Sequence, residues 1–158
     1  MTFLLRAIVL TCLTVAGWLY IVRQEVHWTE GGEPMAGCEV AEVMDVRTVR
    51  LSCGNEARVA RLAGLDVPDM EEPGCEVERA HGALGRDRLR VLLEEDDVAV
   101  FRVGDVAEDG AVPVRMTVAD EDVADRLVRE GLAAKAGGGG AAVNWCDRLG
   151  ALVERRKD

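Results

Sequence analysis

Apolar and polar positions alternate in short runs through the first half of the chain, and then the period lengthens. Alternation in steps of two over Cys38 to Met44, Thr48 to Cys53 and Ala57 to Leu62 predicts three strands, punctuated by Asp45-Val46 and by Gly54-Asn55. Pro68 and Pro73-Gly74 mark a loop. From Glu76 to Leu93 the spacing becomes helical, with Val77, Ala80, Leu84 and Val91 near one face and acids or arginines elsewhere. Gly82 and Gly85 cost that helix roughly 1 kcal/mol each relative to alanine, which suits a place of close packing. Val98 to Val103 and Val112 to Val118 predict two more strands. Asp120 is placed to cap a helix carrying Val123, Leu127 and Leu132, which ends near Gly131. Gly137 to Gly140 reads as a spacer, and Trp145 to about Arg156 as a last amphipathic helix.

The N-terminus breaks this pattern. Ala7 to Val22 contains no charged side chain, and counted from Phe3 the apolar stretch is 20 residues long. At about 1.5 Å per residue that matches the ~30 Å hydrocarbon core of a bilayer. Arg6 can snorkel from its end, and Trp18 and Tyr20 suit the opposite interface. Two readings stand: an uncleaved membrane helix over 1–23, or a signal peptide cut near Thr14-Val15-Ala16. Residues 24–35, with Gly31-Gly32 and Pro34, form a polar linker, so the globular domain is 36–158. The length leaves room for a single domain of ordinary size.

Charge narrows the partners. The formal net charge is -10, and Arg6 and Arg23 belong to the apolar segment, which leaves -12 on the remainder. Nucleic-acid affinity rests on lysine and arginine releasing counterions from phosphates, so this global field opposes a polyanion.

Cys12 lies in the apolar segment, leaving Cys38, Cys53, Cys75 and Cys146, which allow three pairings. Cys38 and Cys53 are each seven residues from Asp45-Val46, so in a hairpin turning there they lie opposite each other. That leaves Cys75 with Cys146. No C-x-x-C or Cys/His spacing favours a metal; free buried thiols are the plain alternative. Disulfides place the domain outside the cytoplasm. With the N-terminus inside, that means an inner-membrane protein facing the periplasm, or a secreted one if the segment is cleaved. Arg6 on the inner flank agrees with that orientation, although Arg23 weakens the asymmetry.

The chemistry-bearing residues cluster around Arg58-Val59-Ala60-Arg61-Leu62-Ala63-Gly64-Leu65-Asp66-Val67-Pro68-Asp69 and Asp45-Val46-Arg47-Thr48-Val49-Arg50-Leu51. Five strands with a helix after the third, followed by further helices, resemble the staphylococcal nuclease-like family, an α+β fold built on a five-stranded OB-type barrel. The segment from Asp45 to Leu51 matches that family's D-G-D-T hairpin. Val59 to Asp69 matches its R-L-x-G-I-D-x-P-E strand and loop. Asp122-Val123-Ala124-Asp125-Arg126-Leu127-Val128-Arg129-Glu130-Gly131-Leu132-Ala133 matches its late helix. Cys75 and Trp145-Cys146 look like those of exported bacterial members.

The resemblance implies calcium held by the hairpin's second aspartate and the loop aspartate, a glutamate that activates water, and two phosphate-binding arginines. Asp66 matches the loop ligand, Arg61 the first arginine, and Asp69 stands for the glutamate, one methylene shorter. A withdrawal of about an ångström can cost on the order of a hundredfold in rate. Two departures go further. Arg47 replaces the other metal-ligating aspartate, and the second arginine's place falls on Ala111 or, shifted by one, Val112.

These departures point to a membrane-anchored module degenerate in catalysis, with no cofactor. A nuclease still cleaving nucleic acid, with calcium, is the alternative. Arg47 is expected either to take the ion's role, with forked hydrogen bonds to Asp66 and Asp69, or to be an ordinary exposed turn residue. Arg115 reads as an exposed strand arginine. His27 and His81 read as linker and helix-surface residues without ligand partners, and the Glu71-Glu72 and Glu94 to Asp97 runs as solvated faces.

Overall fold

The computed structural model describes residues 32–95, 97–136 and 142–155. The chain divides into two compact units, Met1–Glu33 and Pro34–Asp158. The membrane or signal segment and His27 lie outside the described residues. Among the described residues no helix is long and apolar enough to cross a membrane.

The second unit is α+β, with one curled sheet and three helices. After a two-residue strand at the boundary, β1 (Glu33–Pro34), come β2 (Cys38–Val43), β3 (Thr48–Cys53), β4 (Glu56–Leu62) and β5 (Leu65–Asp66). Helix α1 (Glu76–Leu93) follows, then β6 (Val98–Arg102), β7 (Val112–Val118) and β8 (Glu121–Asp122). Helix α2 (Val123–Arg129), β9 (Ala134–Lys135) and helix α3 (Trp145–Arg155) complete the chain. The long strands lie in the order β6-β7-β4-β3-β2, with β8 paired to β7, and β5 and β9 form a separate ribbon. Neighbours among these long strands are antiparallel except β4 and β7, which pair in parallel, Ala60 with Val112 and Leu62 with Val114. A parallel pair needs a long crossover, and the stretch holding α1 and β6 supplies it.

The step-of-two pattern is realised most clearly in β7, where Val112, Val114, Met116 and Val118 are buried and the residues between them are half-buried. These four meet Val49 and Leu51 of β3, Ala60 and Leu62 of β4 and Leu127 of α2 in one core.

The β2–β3 turn carries the residues of interest. Asp45 Oδ1 accepts from the backbone N–H of Arg47 at 2.8 Å and of Thr48 at 2.9 Å, so a single carboxylate shapes the turn. Val43 pairs with Val49, which leaves residues 44–48 as a turn one residue longer than a symmetric hairpin about Asp45-Val46 allows. A register shift between Val40 and Glu42 compensates on the β2 side, and Cys38 meets Cys53 directly. The two form a disulfide.

Helix α1 has the expected bounds, but its inward side differs from the amphipathic reading. Val77, Leu84 and Val91 are 49%, 62% and 51% exposed. The buried row is Glu78, Gly82, Gly85, Leu89 and Leu92. The glycines explain this choice. A Cβ on Gly85 would sit 2.9 Å from Val46 Cγ1, and one on Gly82 would sit 2.6 Å from Met70 Cγ. The helix therefore packs its backbone onto the hairpin turn and the loop before it.

Gly85→Ala is accordingly expected to lower stability by up to about 2 kcal/mol. Overpacking a fully buried valine costs about 1–3 kcal/mol, against a helix-propensity gain of about 1 kcal/mol. Gly150 in α3 has nothing within 4 Å of its Cβ position, so Gly150→Ala should stabilise by about 0.5–1 kcal/mol. Urea denaturation of the two variants checks both signs.

The cap of α2 also moves from its expected place. Ala119 and Asp120 both have positive φ, 47° and 64°, as the two-residue turn joining β7 to β8 requires. Asp120 is thus spent on the turn. Asp122 caps instead, accepting from the N–H of Ala124 at 2.8 Å and of Asp125 at 3.1 Å.

Arg88 of α1 reaches past the end of α2, where its Nε and a terminal nitrogen donate to the two Glu130 oxygens, each at 2.7 Å. This fork holds the Glu130 carboxyl below its ordinary 4.5, with Arg126 adding to the effect. Because the folded value is depressed, the stabilisation is fully present above the unfolded value and is lost as pH falls through the folded one. Melting temperature should hold from about pH 8 to about pH 5 and then fall, and Arg88→Met should make that fall shallower. Thermal melts across the pH range test it.

Candidate functional site

A cleft of about 250 Å³ opens between the β2–β3 turn and the loop after β5, lined by Met44, Asp45, Arg47, Val67, Pro68 and Asp69 among others. Arg47 and Asp69 thus share one site, with Asp66 next to it in sequence. The three do not bond to one another. Among the described residues Arg47 forms no ion pair with either acid, so the forked arrangement expected from it is not formed.

Each side chain is held elsewhere. A terminal nitrogen of Arg47, which is half-buried, donates to the backbone carbonyl of Leu65 at 3.2 Å. The Arg47 carbonyl in turn accepts from Leu62 N–H at 2.7 Å. These two bonds clip the turn to the end of β4 and the start of β5. Asp69 Oδ1 accepts from the N–H groups of Glu71 at 2.8 Å and Glu72 at 2.9 Å, which folds the loop back on itself. The N–H of Glu72, then that of Glu71, hold its carboxyl below the usual 3.8, and the Arg47 charge adds a smaller push in the same direction. A water-activating base gains from a value nearer neutrality, and Asp69 is displaced the other way.

Asp66 is the most fully engaged of the set. Its Oδ2 accepts from Val143 N–H at 2.9 Å and its Oδ1 from the Trp145 indole Nε1–H at 2.8 Å. Trp145 is 3% exposed and packs with Leu149 and Ala134 in a small second core. The Asp66 carboxylate therefore ties the start of α3 back onto β5.

The same region is stapled covalently. Cys75, at the N-cap of α1, is bonded to Cys146 on the first turn of α3. Between them lies Glu78, 9% exposed, which accepts from Asp69 N–H at 3.1 Å and Gly74 N–H at 2.8 Å. Cys75, Glu78 and Cys146 converge closely enough to suggest a metal set, but both sulfurs are consumed in the disulfide. Glu78 escaped the sequence reading. A glutamate three residues beyond a helix N-cap was the available signal, since that position reaches back to orphan N–H groups.

The phosphate-binding positions differ as well. Arg61 on β4 is paired with Asp109 at 2.7 Å, and the pairing keeps the Asp109 carboxyl below its usual value. Ala111 is 2% exposed and Val112 3%, so neither offers a polar group to a ligand. Arg115 is half-buried, not exposed; it stacks over Phe101, 5.4 Å from the ring centroid, lies 3.7 Å from Asp122, and lines a pocket with Asp122 and Lys135 that is separate from the cleft. His81 is not a plain surface residue. It is half-buried, and because a carbonyl can only accept, its Nε2–H donates to Gly131 O at 2.9 Å. Its ring tilts against Trp145.

A calcium ion fits this donor set poorly. It takes six to eight oxygens, with carboxylates foremost. Both Asp66 oxygens already accept hydrogen bonds, Asp69 Oδ1 and Asp45 Oδ1 are occupied by their own turns, and the Arg47 guanidinium stands in the same cleft. No protein-family model matches the chain, and no curated protein matches it either.

Proposed function

We propose that this chain is a catalytically degenerate relative of the staphylococcal nuclease-like family that serves as a binding or structural module. Its five long strands, with α1 inserted between β4 and β6, are compatible with that family's OB-type barrel. The single observation that carries the functional reading is the Asp66 carboxylate, whose two oxygens are spent on Val143 and Trp145. A side chain that anchors the C-terminal helix would have to share or give up those bonds to hold a cation. The guanidinium in the cleft and the buried Ala111 support the same conclusion. Two disulfides support an oxidising compartment, and the apolar N-terminal segment supplies a route to the outer face of the inner membrane. The net charge of -10 argues against a nucleic-acid partner.

Incubating the full chain with single-stranded DNA and millimolar calcium tests the proposal. The expected result is no cleavage above that of Arg61→Ala. Calcium-stimulated cleavage that Arg61→Ala abolishes would instead establish a working phosphodiesterase.

A further inference from the structure

Val77, Leu84 and Val91 lie seven residues apart on the face of α1 that points away from the core, each about half exposed or more. Single exposed apolar residues are ordinary, but three in register along one helix are not scattered. A seven-residue repeat is the spacing at which two helices pack along a shared seam. The stripe is about 21 Å long at ~1.5 Å per residue.

The flanking charges say what it fits. Glu76 stands beside Val77 at one end and Arg90 beside Val91 at the other, with Arg79 and Asp87 between them. Their side chains are 85%, 47%, 55% and 55% exposed. Turning a second copy of the helix about an axis through Leu84 brings Leu84 onto Leu84 and Val77 onto Val91. The same rotation brings Glu76 to within two residues of Arg90, and Arg79 to within two of Asp87, an offset of about 3 Å along the seam that long side chains span. In a parallel alignment every one of these charges meets its own kind. The Glu76–Arg79 contact at 3.8 Å and the Asp87–Arg90 contact at 3.0 Å become parts of one charge cluster at each end of the seam, which Arg86, also bonded to Asp87, joins.

We propose that α1 is a self-association surface, on which a second copy of this chain docks antiparallel with Leu84 at the two-fold axis. Three half-exposed side chains make a small seam, so the dimer is of the weak, transient class. Orientation comes from the charges and adhesion from the apolar stripe.

Sedimentation equilibrium of the full chain in a non-ionic detergent tests the proposal. Leu84→Glu should weaken the dimer at least roughly tenfold while leaving the melting temperature nearly unchanged, because that side chain is solvent-facing in the monomer. Glu76→Arg and Arg90→Glu should each weaken it by roughly fivefold, and the two together should return to within about twofold of the unaltered chain. A monomer at every accessible concentration would overturn the proposal. So would a dimer insensitive to Leu84→Glu, or a double charge exchange as weak as either single change.

Discussion

Asp66→Ala should destabilise the protein by about 3 kcal/mol. The change removes one carboxylate and leaves two donors without their acceptor, the Trp145 indole and the Val143 amide. Hydrogen bonds to a charged group contribute about 1.5–3 kcal/mol, and a buried donor left unpaired costs about 1–3 kcal/mol. The effects overlap, since both report loss of the same acceptor, and Val143 is only half-buried and can recruit water. Trp145, at 3% exposed, cannot do so without moving out of its small core. Asp66→Asn keeps one acceptor oxygen and should lose about 1–2 kcal/mol. Urea denaturation gives both values. A metal ligand freed of its ion's competitors would behave oppositely, because removing one of several crowded acids tends to stabilise the ion-free protein.

Removing the Cys75–Cys146 bridge should cost still more. The bonded residues are 71 apart in sequence, and the chain-entropy model assigns closure of such a loop about 4 kcal/mol, against about 3 kcal/mol for the 15-residue separation of Cys38 and Cys53. Cys75→Ala with Cys146→Ala should therefore be the more damaging pair of changes. The expected phenotype has a local component: α3 is held by this bridge, by Asp66 and by the contacts of Trp145 and Leu149. Without the bridge, α3 should become sensitive to protease before the sheet does, since segments with few tertiary ties open first. Equal loss from both disulfide deletions, with α3 still protected, would show that the C-terminal helix is held by packing alone.

The strand pattern is legible in the sequence and the site is not, because one is a local pattern and the other a set of long-range contacts. Alternation in β3 and β7 reports burial because each apolar side chain there faces the core. In α1 the same logic points to the wrong side. The face that approaches the hairpin turn does so through Gly82 and Gly85, and closeness of backbone leaves no hydrophobic mark in a sequence. Val77, Leu84 and Val91 supply the hydrophobic mark and stay in solvent. The pairing of Cys38 with Cys53 was legible through symmetry about the turn, yet it depends on a register shift in β2 that no residue type announces. Asp120 looks like a cap by its place before an apolar run, but the tight turn needs a residue tolerant of positive φ and takes it first. Asp66 is the extreme case. Its residue type, next to a strand and a proline, suggests a ligand, whereas its partners lie 77 and 79 positions away and could be assigned only in three dimensions.

The picture that joins these observations is of a cleft whose aspartates are engaged by their own turns and neighbours. Asp66 has turned to the C-terminal helix, Asp69 to its own loop and Arg61 to Asp109. Arg47 contributes a fixed cation that spans the turn and β5 instead of a ligand for one. Each of these side chains has a partner of its own.

Titrating the full chain with calcium while following its melting temperature tests that claim most directly. A ligand that binds only the folded protein raises stability with its concentration in a saturable way. With Asp66 engaged as described, the melting temperature should stay constant within about 1 °C up to about 10 mM calcium, and equally so with magnesium. A saturable rise that calcium alone produces, and that Asp66→Asn eliminates, would contradict the account.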